Sequence, residues 1–368
     1  MYDLISVLTT FFYINYILPY MFCKTNSKIL LYESAILNIM IYRGDFMKRK
    51  NIFEIVTTGI FTLSAIHAIN RIIFHLSEKK DHLYTSNGRF YKHQHGKIFY
   101  TKTGKGSPLL LIHNLDQCGS DYEWHRTIKQ FSKNHTVYTI DLLGCGRSDK
   151  PRITYTSYLY VQTIYDFIID VIGTPIKAIV SGETVPIIMM LEHLHPNTFE
   201  QLIFINPVNF EYANLFPTKK EQRLKVLLDS PIIGTFIYNI RNRRTALLRR
   251  ANRNLAHCSS AVKMSLVSRF YSACHRQGSN SKFLFNSKKC HYLGLNIINN
   301  YSTVTTPTCV LMGDEHEYFT DIADWDIFLN PDTEVAFVPK SNCYPQLEQP
   351  ESFIDICETY FTEGTLEK

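Results

Sequence analysis

Nucleophilic acyl transfer needs a nucleophile on a tight turn, a base to take its proton, an acid to orient that base, and N–H groups to hold an oxyanion. The stretch "IVSGETVPI", residues 179 to 187, offers the first of these. An apolar run stops at Ser181 and Gly182, Glu183 and Thr184 carry a carboxylate and a hydroxyl, and Pro186 opens a helical pattern. Late in the chain, "GDEHE" sets His316 among Asp314, Glu315 and Glu317, a base beside acids, with a solvated loop as the plainer reading. The nine cysteines contain no C-x-x-C pair, so neither a thiol-clamped metal nor dithiol exchange is indicated. No cofactor and no disulfide framework are expected; the thiols read as small buried residues in a reducing compartment.

Something must position these groups. With 45% apolar and 13% aromatic residues, the 368-residue chain can fill a sizeable core and is not disordered. Beyond residue 88, short apolar runs alternate with helical patterns, the mark of an α/β chain with a mostly parallel sheet covered by helices on both faces. Strands are expected over 96–104, 108–114, 135–144, 176–182, 201–208, 306–313 and 333–341, and helices over 121–133, 158–172, 185–195, 320–329 and 350–361. Residues 209 to 305 break the alternation and read as a helical cap over the C-terminal edge of the sheet, leaving 89–208 and 306–368 as the core.

In front of this core, the 23 residues from Ile52 to Phe74 carry only Glu54 and Arg71 as charges, long enough to span a bilayer. "MKRK" precedes them and no clear cleavage site follows, so residues 47–76 are expected to be a retained single-pass membrane anchor, with 77–88 as a linker. Lysines and arginines flank both sides, so the side of the membrane taken by the core stays open. Residues 1–46 admit two readings: a further apolar membrane segment over 4–23, or an over-extended reading frame with the start at Met47. The second is favoured, because Met1 has no basic stretch before its apolar run.

The order "LLLIHN", "YEW", "DLLGCGRSDKP", then a strand ending in a sharp turn, resembles the α/β-hydrolase family with a helical cap. Asp141, Gly144, Gly146 and Ser148 match that family's D-x-x-G-x-G-x-S, and "PQLEQPESF" (345–353) is similar to its closing P-x-x-E-x-P-E segment. The resemblance runs from Phe90 to Phe361. It implies a nucleophile at the turn after residues 176–182, a histidine after the last strand, and an acid after "LMG".

Each implied position departs from the family. Aligning Gly182 with the first small residue puts Thr184 at the nucleophile, in a positive-φ turn that a β-branched residue strains to adopt. Sliding by one puts Glu183 there, a carboxylate nucleophile in the manner of epoxide hydrolases or dehalogenases. Cys343 stands in the histidine position, His316 in the acid position, and Val208 in the alternative acid position. His113 and Asn114 replace the family's H-G, with the N–H groups of Leu115 and Val185 as oxyanion donors. Departures at all three positions point to a scaffold without its chemistry, binding an apolar ligand or a partner. A carboxylester or lipid hydrolase working through a rearranged Thr184 and His316 is the alternative.

Residues 217–253 hold ten basic side chains, Lys219 to Arg253, against Glu221 and Asp229, in a chain of net charge +6. The stripe reads either as a solvated helix face or as a contact for anionic membrane lipid beside the anchor. Few aromatics interleave it and no nucleic-acid module is present, so nucleic acid is not an expected partner.

Overall fold

The computed structural model describes residues 49–79, 81–83, 85, 87–173, 175–295, 305–316 and 333–363. The chain divides into two compact units, Met1–Thr62 and Leu63–Lys368. In the second, eight strands form one sheet: β1 Arg89–His93, β2 Gly96–Thr103, β3 Ser107–Ile112, β4 His135–Ile140, β5 Ile176–Ser181, β6 Phe199–Ile205, β7 Thr308–Gly313 and β8 Glu334–Val338. Their order is β1-β2-β4-β3-β5-β6-β7-β8, with β1 and β2 antiparallel and all pairs from β4 to β8 parallel. Leu109 to Ile112, Ala178 to Val180 and Leu202 to Ile205 are buried because the central strands are covered on both faces, which is why they read as unbroken apolar runs.

The helices are α1 Arg49–Lys79, α2 Ser157–Phe167, α3 Val185–Leu194, α4 Lys219–Asp229, α5 Ile233–Arg241, α6 Arg244–Asn254, α7 Ser260–His275, α8 Lys282–Lys289 and α9 Pro350–Glu363. One core cluster joins α2 and α3 to the sheet through Tyr160, Ile164, Phe167, Ile188 and Leu191. A second, on Trp124, Phe131, Phe353, Ile354 and Cys357, joins α9. Strand β1 was not expected; its "RFYKH" folds back on β2 through the turn at Gln94 and His95. The helix expected over 121–133 is two short turns, Asp121–Trp124 and Ile128–Phe131. Its first turn is committed inward, since Asp121 pairs with Arg147 and Glu123 accepts a bond from the Asn114 amide. The helix expected over 320–329 lies outside the described residues.

Between β6 and β7, helices α4 to α8 form the insertion, packed around Tyr238, Leu247, Leu255, Leu266 and Cys274. Helix α1 contains the described helix long and apolar enough to cross a membrane, Glu54–Lys79. Its last turns are not free, however: Asn70, Phe74 and Ser77 are buried, and Phe74 joins the insertion's core. The segment expected as a linker is pinned too, with Leu83 buried and Asp81 paired with Arg276.

The D-x-x-G-x-G-x-S segment builds a buried ion cluster. Asp141 Oδ2 accepts from the Arg147 amide and from its Nε, both at 2.8 Å, while the same guanidinium reaches Asp121 and lies 3.8 Å over the Phe99 ring. Burial pushes Asp141 up, but Arg147 outweighs it and holds the carboxyl below its usual range; Asp121, pushed up by burial and by Asp141, reaches about 6. Gly146, at φ +44°, leaves no room for another residue, because a Cβ would sit 2.2 Å from Asp141 Oδ2.

Candidate functional site

At the end of β5 the chain turns sharply into α3. Ser181 is extended (φ −107°, ψ 137°), Gly182 is left-handed (φ +57°), and Thr184 is already helical (φ −81°, ψ −20°). The strained turn residue is therefore Gly182, not Thr184. Glycine takes that conformation without a Cβ penalty, so the strain expected at Thr184 is absent. Thr184 is fully buried, and its Oγ1 donates to the His113 carbonyl at 2.8 Å, tying the turn to the loop after β3.

That loop fills the space in front of the turn. Asn114 Oδ1 accepts the Glu183 N–H at 2.9 Å, and a Cβ on Gly182 would lie 2.5 Å from that same oxygen. The Asn114 side chain also lies by the Tyr344 hydroxyl, and its own amide donates to Glu123 Oε2 at 3.1 Å. Glu123 further accepts from Gln346 Nε2 at 2.8 Å and lies by the Ser181 side chain, with no cation among the described residues that act on it. Burial pushes its carboxyl up to about 7. His113 is fully buried: Nδ1 donates to the Asn114 carbonyl at 2.7 Å and Nε2 accepts from the Leu142 amide at 3.1 Å. Burial lowers its pKa, so the ring is neutral, with both nitrogens engaged in the scaffold.

A left-handed turn residue between a central parallel strand and a helix, facing the loop of the neighbouring strand, is the elbow of one fold. The chain has the α/β-hydrolase fold. A serine hydrolase of carbazole degradation overlays it with a TM-score of 0.59 at 17% identity, over 75% of this chain and 98% of that one. A bacterial membrane phospholipase A overlays 86% of this chain and 99% of its own with a TM-score of 0.56 at 16% identity. In sequence, a 2-hydroxy-6-oxo-6-(2'-aminophenyl)hexa-2,4-dienoic acid hydrolase of Metapseudomonas resinovorans is 33% identical over 95 residues, 25% of this chain. The match spans only 32% of that relative's length. No protein-family model matches the sequence.

In the hydrolase fold the oxyanion is held by the amide after the nucleophile together with one from the loop after β3. Here the residue after the bend is Glu183, whose N–H is already taken by Asn114 Oδ1. The donor expected at Val185 is spent as well, since its N–H bonds the Gly182 carbonyl. Leu115 is buried, and its carbonyl accepts from Lys288 Nζ.

Lys288, on α8, reaches from the insertion to the elbow and pairs with Glu183 at 3.0 Å and Asp116 at 3.4 Å. Burial lowers the ammonium's pKa, but Glu183 and Asp116 outweigh it and keep it charged. Asp116, pushed up by burial, is drawn down to about 2 by Lys288 and Arg250; for Glu183 burial prevails and raises the carboxyl. A slot of about 40 Å³ is lined by Pro186, Ile187, Val208, Ala213, Leu215 and Leu293, with Lys288, Glu183, Tyr212 and His291 completing its wall. That is far below the roughly 300–1,000 Å³ of small-molecule sites.

The other expected residues serve the loops. His316 is buried, its amide bonded to the Gly313 carbonyl, while Glu315 pairs with His257 at 2.8 Å and Asp314 accepts from the Ser341 amide. Glu317 lies outside the described residues. Cys343 is half-buried and its thiol donates to Asn342 Oδ1 at 3.3 Å. Glu183 sits one residue past the bend, paired with Lys288 rather than poised for attack. Gly182 was read from sequence only as the small residue before the nucleophile, and Glu123, Lys288 and Tyr344 were not singled out. A glycine ending an apolar strand is a signal for the first; the other three come from distant segments and carry none.

Proposed function

We propose that this chain is a membrane-anchored, hydrolase-fold protein that does not turn over esters and uses the space under its insertion to recognise an apolar ligand or a partner. The observation that supports it is the elbow: its strained residue is a glycine with no side chain, and the amide that would hold an oxyanion is bonded to Asn114. The hydroxyl beside it, on Thr184, gives its proton to a backbone carbonyl within the scaffold. Lys288 and Glu183, paired with each other, form part of the slot wall. Most of the remaining wall, from Pro186, Ile187, Val208, Ala213, Leu215 and Leu293, is apolar and suits a hydrocarbon chain beside that pair. Helix α1, with Ile55, Ile60 and Phe61 exposed, supports the anchor.

The test is turnover of short-chain nitrophenyl esters by the full chain in mild detergent, beside Thr184→Ala. The expected rate equals that of buffer for both proteins. Turnover by the native chain that the substitution abolishes would overturn the reading in favour of a Thr184 nucleophile. Native mass spectrometry checks recognition: a bound apolar molecule is expected, and its loss in Ala213→Trp, which fills the slot, ties it to this site.

A further inference from the structure

The insertion carries large apolar side chains on its outside. Where α4 turns into α5, Val226 is 75% exposed, Leu227 47% and Ile233 37%; just before α4, Phe216 is 55% exposed. At 100° per residue, Lys219, Lys220, Arg223, Val226 and Leu227 share the outward face of α4, while Lys225 and Leu228 turn inward. Apolar side chains ringed by lysine and arginine on an outward helix face make the arrangement of an interfacial helix: the apolar part enters the acyl boundary and the cations meet anionic headgroups.

Position supplies the second argument. Asn70 Nδ2 donates to the Ile232 carbonyl at 3.1 Å and Asn70 Oδ1 accepts from Asn239 Nδ2 at 2.8 Å. These bonds hold the start of α5 against α1, whose Ile69, Ile72 and Leu76 are themselves half exposed. The corner thus sits beside the last turns of α1. Leu215, 44% exposed, also lines the slot, so the slot opens beside this face.

We infer that the α4–α5 corner is a second membrane contact, seated on a bilayer bearing anionic headgroups, and that it turns the slot toward the lipid. The inference rests on the anchor reading above. It is tested with the full chain in phosphatidylcholine vesicles, with and without phosphatidylserine, carrying Val226→Trp; Leu194→Trp, exposed at the end of α3 that lies farthest from the elbow, is the control. Acyl-brominated lipid is expected to quench the Val226→Trp emission about two-fold or more, as for a side chain roughly 5–10 Å into the interface, and to spare the control. Charge removal in K219Q/K220Q/R223Q should weaken the contact about five-fold per charge in the anionic vesicles. Equal, weak quenching at both sites in protein that resists alkaline carbonate extraction overturns the corner contact alone. Release of the protein by carbonate overturns the anchor reading instead.

Discussion

Replacing Glu123 by glutamine should flatten the pH dependence of this protein's stability. Glu123 is 5% exposed, accepts bonds from the Asn114 amide and Gln346, and faces no cation among the described residues, so burial raises its pKa from 4.5 to about 7. The sign follows from the protons bound. Between pH 4.5 and 7 the folded chain keeps a proton that the unfolded chain has shed, so stability falls as pH rises through this window. From pH 5 to pH 8 the loss from this one group is about 2–3 kcal/mol, at roughly 1.4 kcal/mol per unit. Glutamine carries no charge at either pH. It can pair with Gln346 once that amide rotates, because Gln346 Oε1 has no partner and would then face the new donor. Denaturant unfolding of both full-length proteins in mild detergent, followed through the buried Trp124, measures the effect at each pH. All other titrating groups are shared, so the difference between the two proteins isolates Glu123. The variant should gain about 2–3 kcal/mol on the wild type between pH 5 and pH 8. A difference constant to within about 0.5 kcal/mol would refute a neutral, buried Glu123, since no linked proton would remain.

Gly146→Ala should cost about 3 kcal/mol or more, lowering the melting temperature by at least about 6 °C, because its Cβ enters Asp141 at a left-handed φ. A melting temperature unchanged by the substitution would show that the Asp141–Arg147 cluster can shift. Lys288→Met should cost about 2 kcal/mol at pH 8, less than the roughly 3–5 of a fully buried pair because Glu183 and Asp116 keep partial access to water. The loss should shrink at pH 5, as the raised Glu183 carboxyl takes a proton; thermal melts at the two pH values compare them.

The elements legible in the sequence were those whose signal is local. Runs such as "PLLLIHN" and "QLIFINPV" name buried strands, because a parallel strand covered on both faces must be apolar throughout. Strand β1 was missed, since "RFYKH" is short and its residues stay half exposed at the sheet edge. The elbow was legible as a turn but two residues out of register. Pattern matching centred on a hydroxyl, whereas the backbone places its left-handed residue wherever glycine makes it least costly, at Gly182. The basic stripe was legible as composition only. In the fold Lys225 is buried against Asp229 and Arg250 leans on Asp116, while Lys219, Lys220 and Arg223 face outward.

By itself, then, the sequence determined the alternation of strands and helices, the insertion between β6 and β7, and the long apolar helix at the front. Each depends on residue type and near-neighbour spacing. Only the tertiary structure decided what fills the site. Asn114 on the Glu183 amide, Glu123 under the elbow and Lys288 from α8 are separated by up to 174 positions in the chain, from Asn114 to Lys288. They meet because parallel strands bring the ends of β3 and β5 to one edge of the sheet and the insertion folds over it.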